Sequence, residues 1–442
     1  MSTNEALSLD RFTNQPQVAR LGSSRLRTDI ATTEGPFHYL SEHKIHYPET
    51  VTGALADLYA EYNKAFGPLV ETNREWVTDY QYCMLGPDRS PVNFWVQIDM
   101  VGLPDDYLLE ASRFDQNEVR EDLRKRLFEI ENSLAMYQLL MRLFSRDGQN
   151  SQFGTRFRES LNIVRQIHNR PIALLAVTEE KYQAMRESEF GKQQGEQLID
   201  EEVKDLSGFD AFFGPQEFMD YLRKSGGNCD YLLYVRSSDP LIKLKKPKTV
   251  VENPLLQEDD LRRIIKAHAI TFNIDNPDCS TGDPRRINDT KAYLPPMGMG
   301  YPVYDIQDLN SEGLHTYLTA QGIDPELIAS GDVVLRAKPM QTSYGGYGHE
   351  RASTKNPKFW QDLKRDLRDR GPYIIQPEMP TPMITNETDG QSFHYIDRNF
   401  FATDGGNYTF MGGFRSHMPI ASREAERGRN HGSQFTVWAE VY

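Results

Sequence analysis

The stretch Val333-Val334-Leu335-Arg336-Ala337-Lys338-Pro339 constrains this chain more than any other, together with the adjoining Met340-Gln341-Thr342-Ser343-Tyr344-Gly345-Gly346-Tyr347-Gly348-His349-Glu350. It reads as an apolar strand that delivers a lysine into a loop with three glycines in four positions. Glycines at positive φ let successive backbone N–H groups point at one anion, with no Cβ in the way. Lys338 adds a point charge. The pattern suits a polyphosphate, and a plain hairpin turn shares its composition. It is not a Walker A loop, because no Gly-Lys-Ser/Thr is present after it.

The remaining bulk properties narrow the setting. A chain of 442 residues with 38% hydrophobic content, 22 Tyr and 22 Phe has ample material for a large core. A net charge of -14 argues against nucleic acid or an anionic membrane as partner. The three cysteines, Cys83, Cys229 and Cys279, lie far apart, which supports neither a zinc knuckle nor a disulfide framework. Met1–Asp10 lacks a basic-then-apolar signal pattern, and no apolar run approaches the roughly 20 residues that span a bilayer. The expectation is a cytoplasmic protein with no membrane partner. Nothing in the sequence sets an oligomeric state.

Along the chain, residues 1–50 read as an arm lying over a domain. From Thr52, helical spacing of Leu55, Leu58, Tyr59, Tyr62 and Phe66 predicts a helix that Gly67-Pro68 stops. Val92–Val101 reads as a strand, Gly102–Asp106 as a turn, and Tyr107–Ser112 as the return strand. Such a hairpin sets Asp99 and Glu110 at similar depth. Paired acids among apolar neighbours point to a hard cation, since Mg²⁺ takes one or two carboxylates plus phosphate oxygens. Edge-strand acids facing water are the alternative. Asn117–Ser145 carries the longest helical periodicity, and Glu129-Ile130-Glu131-Asn132 within it reads as a solvated helix face. Strand-like runs at 171–177, 210–213 and 230–235, with a helix opening at Gly214-Pro215, predict a small parallel α/β domain over 166–285.

The last third adds an amphipathic helix over 357–370 and a strand at 373–379. A hairpin of 392–402 and 408–415 turns at Asp404-Gly405-Gly406-Asn407, and an apolar strand closes the chain over 434–442. Arg398 and Arg415 sit within the hairpin's apolar runs. Together with Arg423, Arg427 and Arg429 they gather positive charge that a phosphate or acyl-phosphate site needs; ordinary surface arginine is the alternative for the last three. No nucleophile triad and no His-x-x-x-His spacing occur.

Lys338-Pro339, the Gly345-Gly346-Tyr347-Gly348 loop, an amphipathic helix and Tyr373-Ile374-Ile375-Gln376-Pro377-Glu378 together resemble the nucleotide-gripping half of an ATP-grasp enzyme. The acidic stretch around Asp99 precedes the lysine loop instead of coming after it. That order resembles the circularly permuted ATP-grasp ligases, the group of glutathionylspermidine synthase-like carboxylate–amine ligases. Gly412-Gly413-Phe414-Arg415 and Asn430-His431-Gly432-Ser433 are similar to how chains of that group end. The resemblance covers residues 90–112 and 286–442.

The resemblance implies an α+β or α/β chain with a permuted ATP-grasp fold and the small α/β (pre-ATP-grasp-like) domain inserted. Residues 51–165 would hold the metal-binding hairpin and a helical part, and 286–442 the nucleotide-gripping part. It implies ATP and Mg²⁺ as cofactors. Lys291 and Lys338 would contact nucleotide, and Gly345, Gly346 and Gly348 would close over the β- and γ-phosphates. Gln376, Glu378 and the backbone near Met379 would face adenine and ribose. Asp99 and Glu110 would ligate Mg²⁺, with Ser112, a poorer ligand, where the family carries asparagine. Arg398 and Arg415 would hold phosphate or acyl-phosphate. The implied activity joins a small-molecule or peptide carboxylate to an amine through an acyl-phosphate. Such phosphoryl transfer needs positioning and charge, not a protein nucleophile. The alternatives are a catalytically impaired relative that binds a nucleotide or a partner, and an unrelated α/β binding protein.

Overall fold

The computed structural model describes residues 7–15, 17–21, 24–25, 37–41, 43–72, 95–131, 152–176, 209–236, 268, 304–305, 311–320, 324–330, 333–339, 350–353, 373–420 and 435–442. Its strands in chain order begin with β1 (Gln17–Ala19), β2 (Ser24–Arg25), β3 (Phe37–Leu40), β4 (Trp95–Val101) and β5 (Leu127–Glu131). They continue with β6 (Ile172–Ala176), β7 (Ala211–Phe213), β8 (Leu232–Arg236), β9 (Tyr304–Asp305), β10 (Val334–Pro339) and β11 (Glu350–Ser353). The last are β12 (Tyr373–Pro377), β13 (Met383–Asn386), β14 (Ser392–Thr403), β15 (Tyr408–Pro419) and β16 (Phe435–Val441). The first helices are α1 (Asp10–Thr13), α2 (Glu49–Thr72), α3 (Asp105–Ala111) and α4 (Gln116–Arg124). The chain is mixed α/β, and none of its described helices is long and apolar enough to cross a membrane.

The long antiparallel hairpin β14–β15 is the axis of the main, nine-stranded sheet. Its aromatic-rich strands are joined at the expected place. The Asp404 carboxylate accepts from the backbone N–H groups of Gly406 (2.8 Å) and Asn407 (2.7 Å), an Asx-type turn. The register shifts between Phe400 and Phe401, and Gly412, at φ +118°, supplies the backbone that this bulge requires. At Gly413 the strands press close: a Cβ there would lie 2.5 Å from the Arg398 carbonyl oxygen. Beyond β15 the sheet continues through β16 to β3 and β2; on the other side β14 pairs with β13 and β4, and β4 with β5.

Residues 1–50 are therefore not simply an arm. They add β1 to β13 and β3 to β16, each in parallel. Chain segments on either side of the small α/β unit share one sheet. The expected 286–442 unit is divided, since β9–β12 form a separate four-stranded antiparallel sheet. The small parallel sheet is as expected, ordered β7-β6-β8, with the helix Pro215–Lys224 packing Phe218 and Leu222 onto Ala173, Leu175 and Leu233.

Three local expectations give way to tertiary context. The helix α2 runs through Gly67-Pro68 to Thr72; the proline forfeits one i→i−4 hydrogen bond, and Val51, Leu55, Leu58, Tyr59 and Tyr62 upstream bury fully in the core. Residues 107–112 are not a return strand. Tyr107, Leu108 and Ala111 bury one face of α3, while Asp105 and Asp106 sit in its first turn, where the helix dipole favours acids. The long helix expected from Asn117 stops at Arg124. A capping box of Asp115 and Glu118 starts α4. After Lys125, the chain extends into β5, which pairs with β4. Leu123, Leu127 and Ile130 fit helical spacing, but a partner strand about 30 residues upstream outweighs that local signal.

Candidate functional site

Strand alternation gives the main sheet two different faces. One carries Val96, Ile98 and Met100 of β4 and Phe401 of β14, and packs with α2, α3 and α4 into the largest core. Asp397 belongs to this face. Its Oδ1 accepts from Arg415 Nε at 2.7 Å; its Oδ2 accepts from Arg415 Nη2 (2.8 Å), the Tyr47 hydroxyl (2.6 Å) and the Leu103 N–H (2.9 Å). Arg415 Nη2 also donates to the Leu103 carbonyl, and the guanidinium lies over the Tyr395 ring at 4.3 Å. Arg415 is wholly buried; burial opposes its charge, but the Asp397 carboxylate outweighs burial and raises its pKa. Burial, then Asp397, pushes the Tyr47 phenol well up, so it stays a donor. Nearby His417 is driven down to about 3 by burial and then by Arg415, and its Nδ1 lies 3.1 Å from the Val437 carbonyl oxygen.

The other face carries Trp95, Gln97 and Asp99 of β4 with Arg398 of β14. The Trp95 indole donates to Ser160 Oγ at 2.8 Å, on the helix Gln152–His168. Register sets Arg398 directly opposite Asp99. Arg398 Nη1 lies 3.0 Å from Asp99 Oδ2, and the Gln97 amide donates to Asp99 Oδ1 at 2.7 Å. Asp99 and Arg398 are 4% and 3% exposed. Arg398 Nε and, two residues past its partner Phe414 on β15, Ser416 Oγ are buried with no hydrogen-bond partner among the described residues. An unmet buried donor costs roughly 1–3 kcal/mol; the Asp397 face also has buried polar atoms without a hydrogen-bond partner among the described residues, at Arg415 Nη1, Asn399 and His417 Nε2, so both faces are incompletely satisfied.

The expected site residues thus separate. Asp99 and Arg398 come together. Arg415 does not join them: it is on the opposite face, committed to Asp397. Glu110 is not beside Asp99, because 107–112 is helical; its carboxylate pairs with Arg11 of α1. Ser112 is the C-cap of α3, with its hydroxyl donating to the Leu109 carbonyl at 2.6 Å, in an exposed position away from Asp99. Neither is placed to share a cation with Asp99. The residue that does stand opposite Asp99 is Glu129 of β5, with Glu131 opposite Gln97. The signal was the two-residue alternation Phe128-Glu129-Ile130-Glu131 after the Arg124-Lys125-Arg126 break, masked by helical spacing.

Lys338 and Gln376 lie on neighbouring strands of the four-stranded sheet. Lys338 pairs with Ile374 and Arg336 with Gln376, so positions 338 and 376 fall on one face by alternation. The strands β10 and β11 are paired antiparallel, and the segment that joins them contains the three glycines. Gly345, Gly346, Gly348 and Lys291 lie outside the described residues. Glu378 is half-buried, and the Met379 side chain packs into the main core.

Among the described residues, no three His, Cys, Asp or Glu side chains gather as a metal cage. One buried carboxylate with an adjacent arginine fits Mg²⁺ held mainly by phosphate oxygens, and does not fit a bare cation held by protein alone. The chain matches no known family in a scan of protein-family models, and no curated protein matches it either.

Proposed function

We propose that this chain is an ATP-dependent carboxylate–amine ligase of circularly permuted ATP-grasp type, forming an amide through an acyl-phosphate and releasing ADP and phosphate. The observation that carries the reading is the buried Asp99–Arg398 pair, a carboxylate and a guanidinium opposed across β4 and β14 on an incompletely satisfied sheet face. Three further features support it. Glu129 is in register with Asp99. Lys338 stands on the strand that leads into the glycine segment, beside the strand bearing Gln376. A small parallel α/β unit lies between the two sequence blocks that build the main sheet.

In this reading Asp99, together with phosphate oxygens of the nucleotide, would hold Mg²⁺, which would neutralise charge on the transferring phosphoryl group. Arg398 binds the transferring group or the acyl-phosphate, and its fixed charge stabilises the transition state. Lys338 and Lys291 grip the nucleotide, with Gln376 and Glu378 toward adenine and ribose. The acidic net charge fits a cytoplasmic enzyme of small-molecule or peptide substrates, with neither nucleic acid nor membrane as partner.

A second reading, nucleotide or partner binding without turnover, is favoured by one observation: Asp99 is already neutralised by Arg398, and neither Glu110 nor Ser112 accompanies it. A coupled ADP-release assay over panels of carboxylates and amines separates the two. The ligase reading expects substrate-stimulated ADP release that falls at least about 100-fold in Arg398→Met and Lys338→Ala. Nucleotide binding without stimulated release would favour the second.

A further inference from the structure

We propose that Ser416 is the second donor of an oxyanion subsite on the sheet face that carries Arg398. Together with Arg398 Nε, its hydroxyl holds one phosphoryl or acyl-phosphate group. The inference rests on the reading of this face as a phosphoryl-transfer site, and adds to it a neutral donor beside the arginine.

Register brings the two donors together. Ser416 stands opposite Ile396 and Arg398 opposite Phe414, so all four share one face and Ser416 is diagonal to Arg398. Diagonal neighbours on paired strands lie roughly 7–8 Å apart, a span that a long side chain and one phosphate-sized group can fill. Ser416 is 1% exposed, and its Oγ is buried with no hydrogen-bond partner among the described residues. Its neighbours on this face explain why. Ile396 lies across β14, and Phe414 and Met418 lie along β15 by alternation; none has a side-chain nitrogen or oxygen. Trp438 lies across β16, and an indole N–H donates but cannot accept. Arg398, 3% exposed, sets Nη1 against Asp99 and leaves Nε buried and without a hydrogen-bond partner among the described residues. Both unmet groups can donate, and an oxyanion accepts from both. The unmet atoms of the opposite face differ: Arg415 Nη1 donates, His417 Nε2 accepts because Nδ1 faces the Val437 carbonyl, and the Asn399 amide does both. That mixture does not fit an anion, and that face carries the main core. Around Arg398 and Ser416, the edge-to-face rings of Phe400 and Phe414, 5.7 Å apart, supply apolar walls, where a charge-assisted hydrogen bond is strong. An unmet buried hydroxyl costs stability, so deleting it should spare the fold and weaken the anion.

The test uses the full chain, with inorganic phosphate as the probe, read by calorimetry, beside urea unfolding of the unliganded protein. In Ser416→Ala the urea midpoint should equal or exceed that of the wild type, while phosphate affinity falls about tenfold. Arg398→Lys keeps the charge and loses the Nε–H; its phosphate affinity should fall about tenfold or more. A lower urea midpoint in Ser416→Ala, or its failure to fold, overturns the proposal, because the hydroxyl would then serve the fold. Unchanged phosphate affinity in Ser416→Ala, or in folded Arg398→Lys, overturns it as well, and so does a wild type that binds no phosphate. If Arg398→Lys does not fold, Ser416→Ala decides alone. Magnesium β,γ-imido-ATP judges the ligase reading separately. Phosphate binding that weakens in Ser416→Ala, in a chain that binds no nucleotide, sinks the ligase reading and leaves the oxyanion subsite. Normal nucleotide binding beside a phosphate affinity indifferent to Ser416 sinks the subsite and leaves the ligase reading standing.

Discussion

Asp397–Arg415 and Asp99–Arg398 are the same chemical pair, and adjacent residues of one strand supply half of each. Alternation sends them to opposite faces, and their surroundings make them different. Asp397 takes four donors, including a tyrosine 350 positions away in sequence and a backbone N–H 294 positions away. Arg415 answers with two nitrogens and a ring beneath it. That pair ties the end of β4, the β14–β15 hairpin and the segment before α2 into one closed unit. In the Asp99–Arg398 pair, the arginine contributes Nη1, a neighbouring glutamine assists, and Nε is unmet among the described residues. A buried ion pair says little about role until its remaining donors and acceptors are counted. Arg415 Nη1 too has no hydrogen-bond partner among the described residues, 4.0 Å from Asp105, so the difference lies on the carboxylate. The pair whose carboxylate takes four donors ties the fold together; we read the other as the one open to a ligand.

The largest effect should come from breaking the closed pair. Asp397→Ala leaves Arg415 buried without its carboxylate and should cost about 3–5 kcal/mol, read as a shifted midpoint in urea unfolding. Tyr47→Phe removes one hydrogen bond to the same carboxylate and should cost about 1.5–3 kcal/mol by the same measurement. A loss near zero for Tyr47→Phe would mean that this donor does not hold the clamp.

The pH dependence of stability arises in part from His417 on the clamped face. Its folded pKa, about 3, lies below the unfolded value of 6.5, so the unfolded chain binds the extra proton. Its contribution is fully present above pH 6.5 and is lost as pH falls from there toward 3. Between about pH 7 and pH 5 this amounts to about 2 kcal/mol. His417→Gln should flatten that part of the curve; an unchanged slope would assign the acid sensitivity to other groups. The open pair should respond less than the clamp. Asp99→Asn keeps an amide oxygen for Arg398 but leaves its buried charge without a carboxylate, and should cost about 1–3 kcal/mol, less than Asp397→Ala. A loss comparable to that of Asp397→Ala would erase the distinction between the faces.

Legibility in the sequence tracked the range of the interactions. The β14–β15 hairpin was readable, down to the turn at Asp404–Asn407, because its strands and turn chemistry are contiguous. So was the parallel unit, whose apolar runs alternate with a capped helix. The strand bearing Lys338 was readable too, as was the association of Asp99 with Arg398 through the family resemblance. The partner of Asp99 was not. Glu110 looked right by position in a hairpin, but Tyr107, Leu108 and Ala111 bury better as a helical face. Glu129 looked like a helix face, and became a strand residue only because β4 offered an edge. Arg415 read like Arg398, both being arginines in apolar strands. One register step decides the face, and no local signal tells which face packs against α2, α3 and α4. The joining of β1 and β3 to the sheet depends on pairing with β13 and β16, close to the other end of the chain.

The most direct measurement is equilibrium binding of magnesium β,γ-imido-ATP, by isothermal titration calorimetry, to wild type and to folded Arg398→Met and Tyr47→Phe. Wild type and Tyr47→Phe should bind with similar affinity, and Arg398→Met should lose about tenfold or more. Equal affinity in wild type and Arg398→Met, or no binding to wild type at all, would contradict the assignment of the open pair as the ligand site.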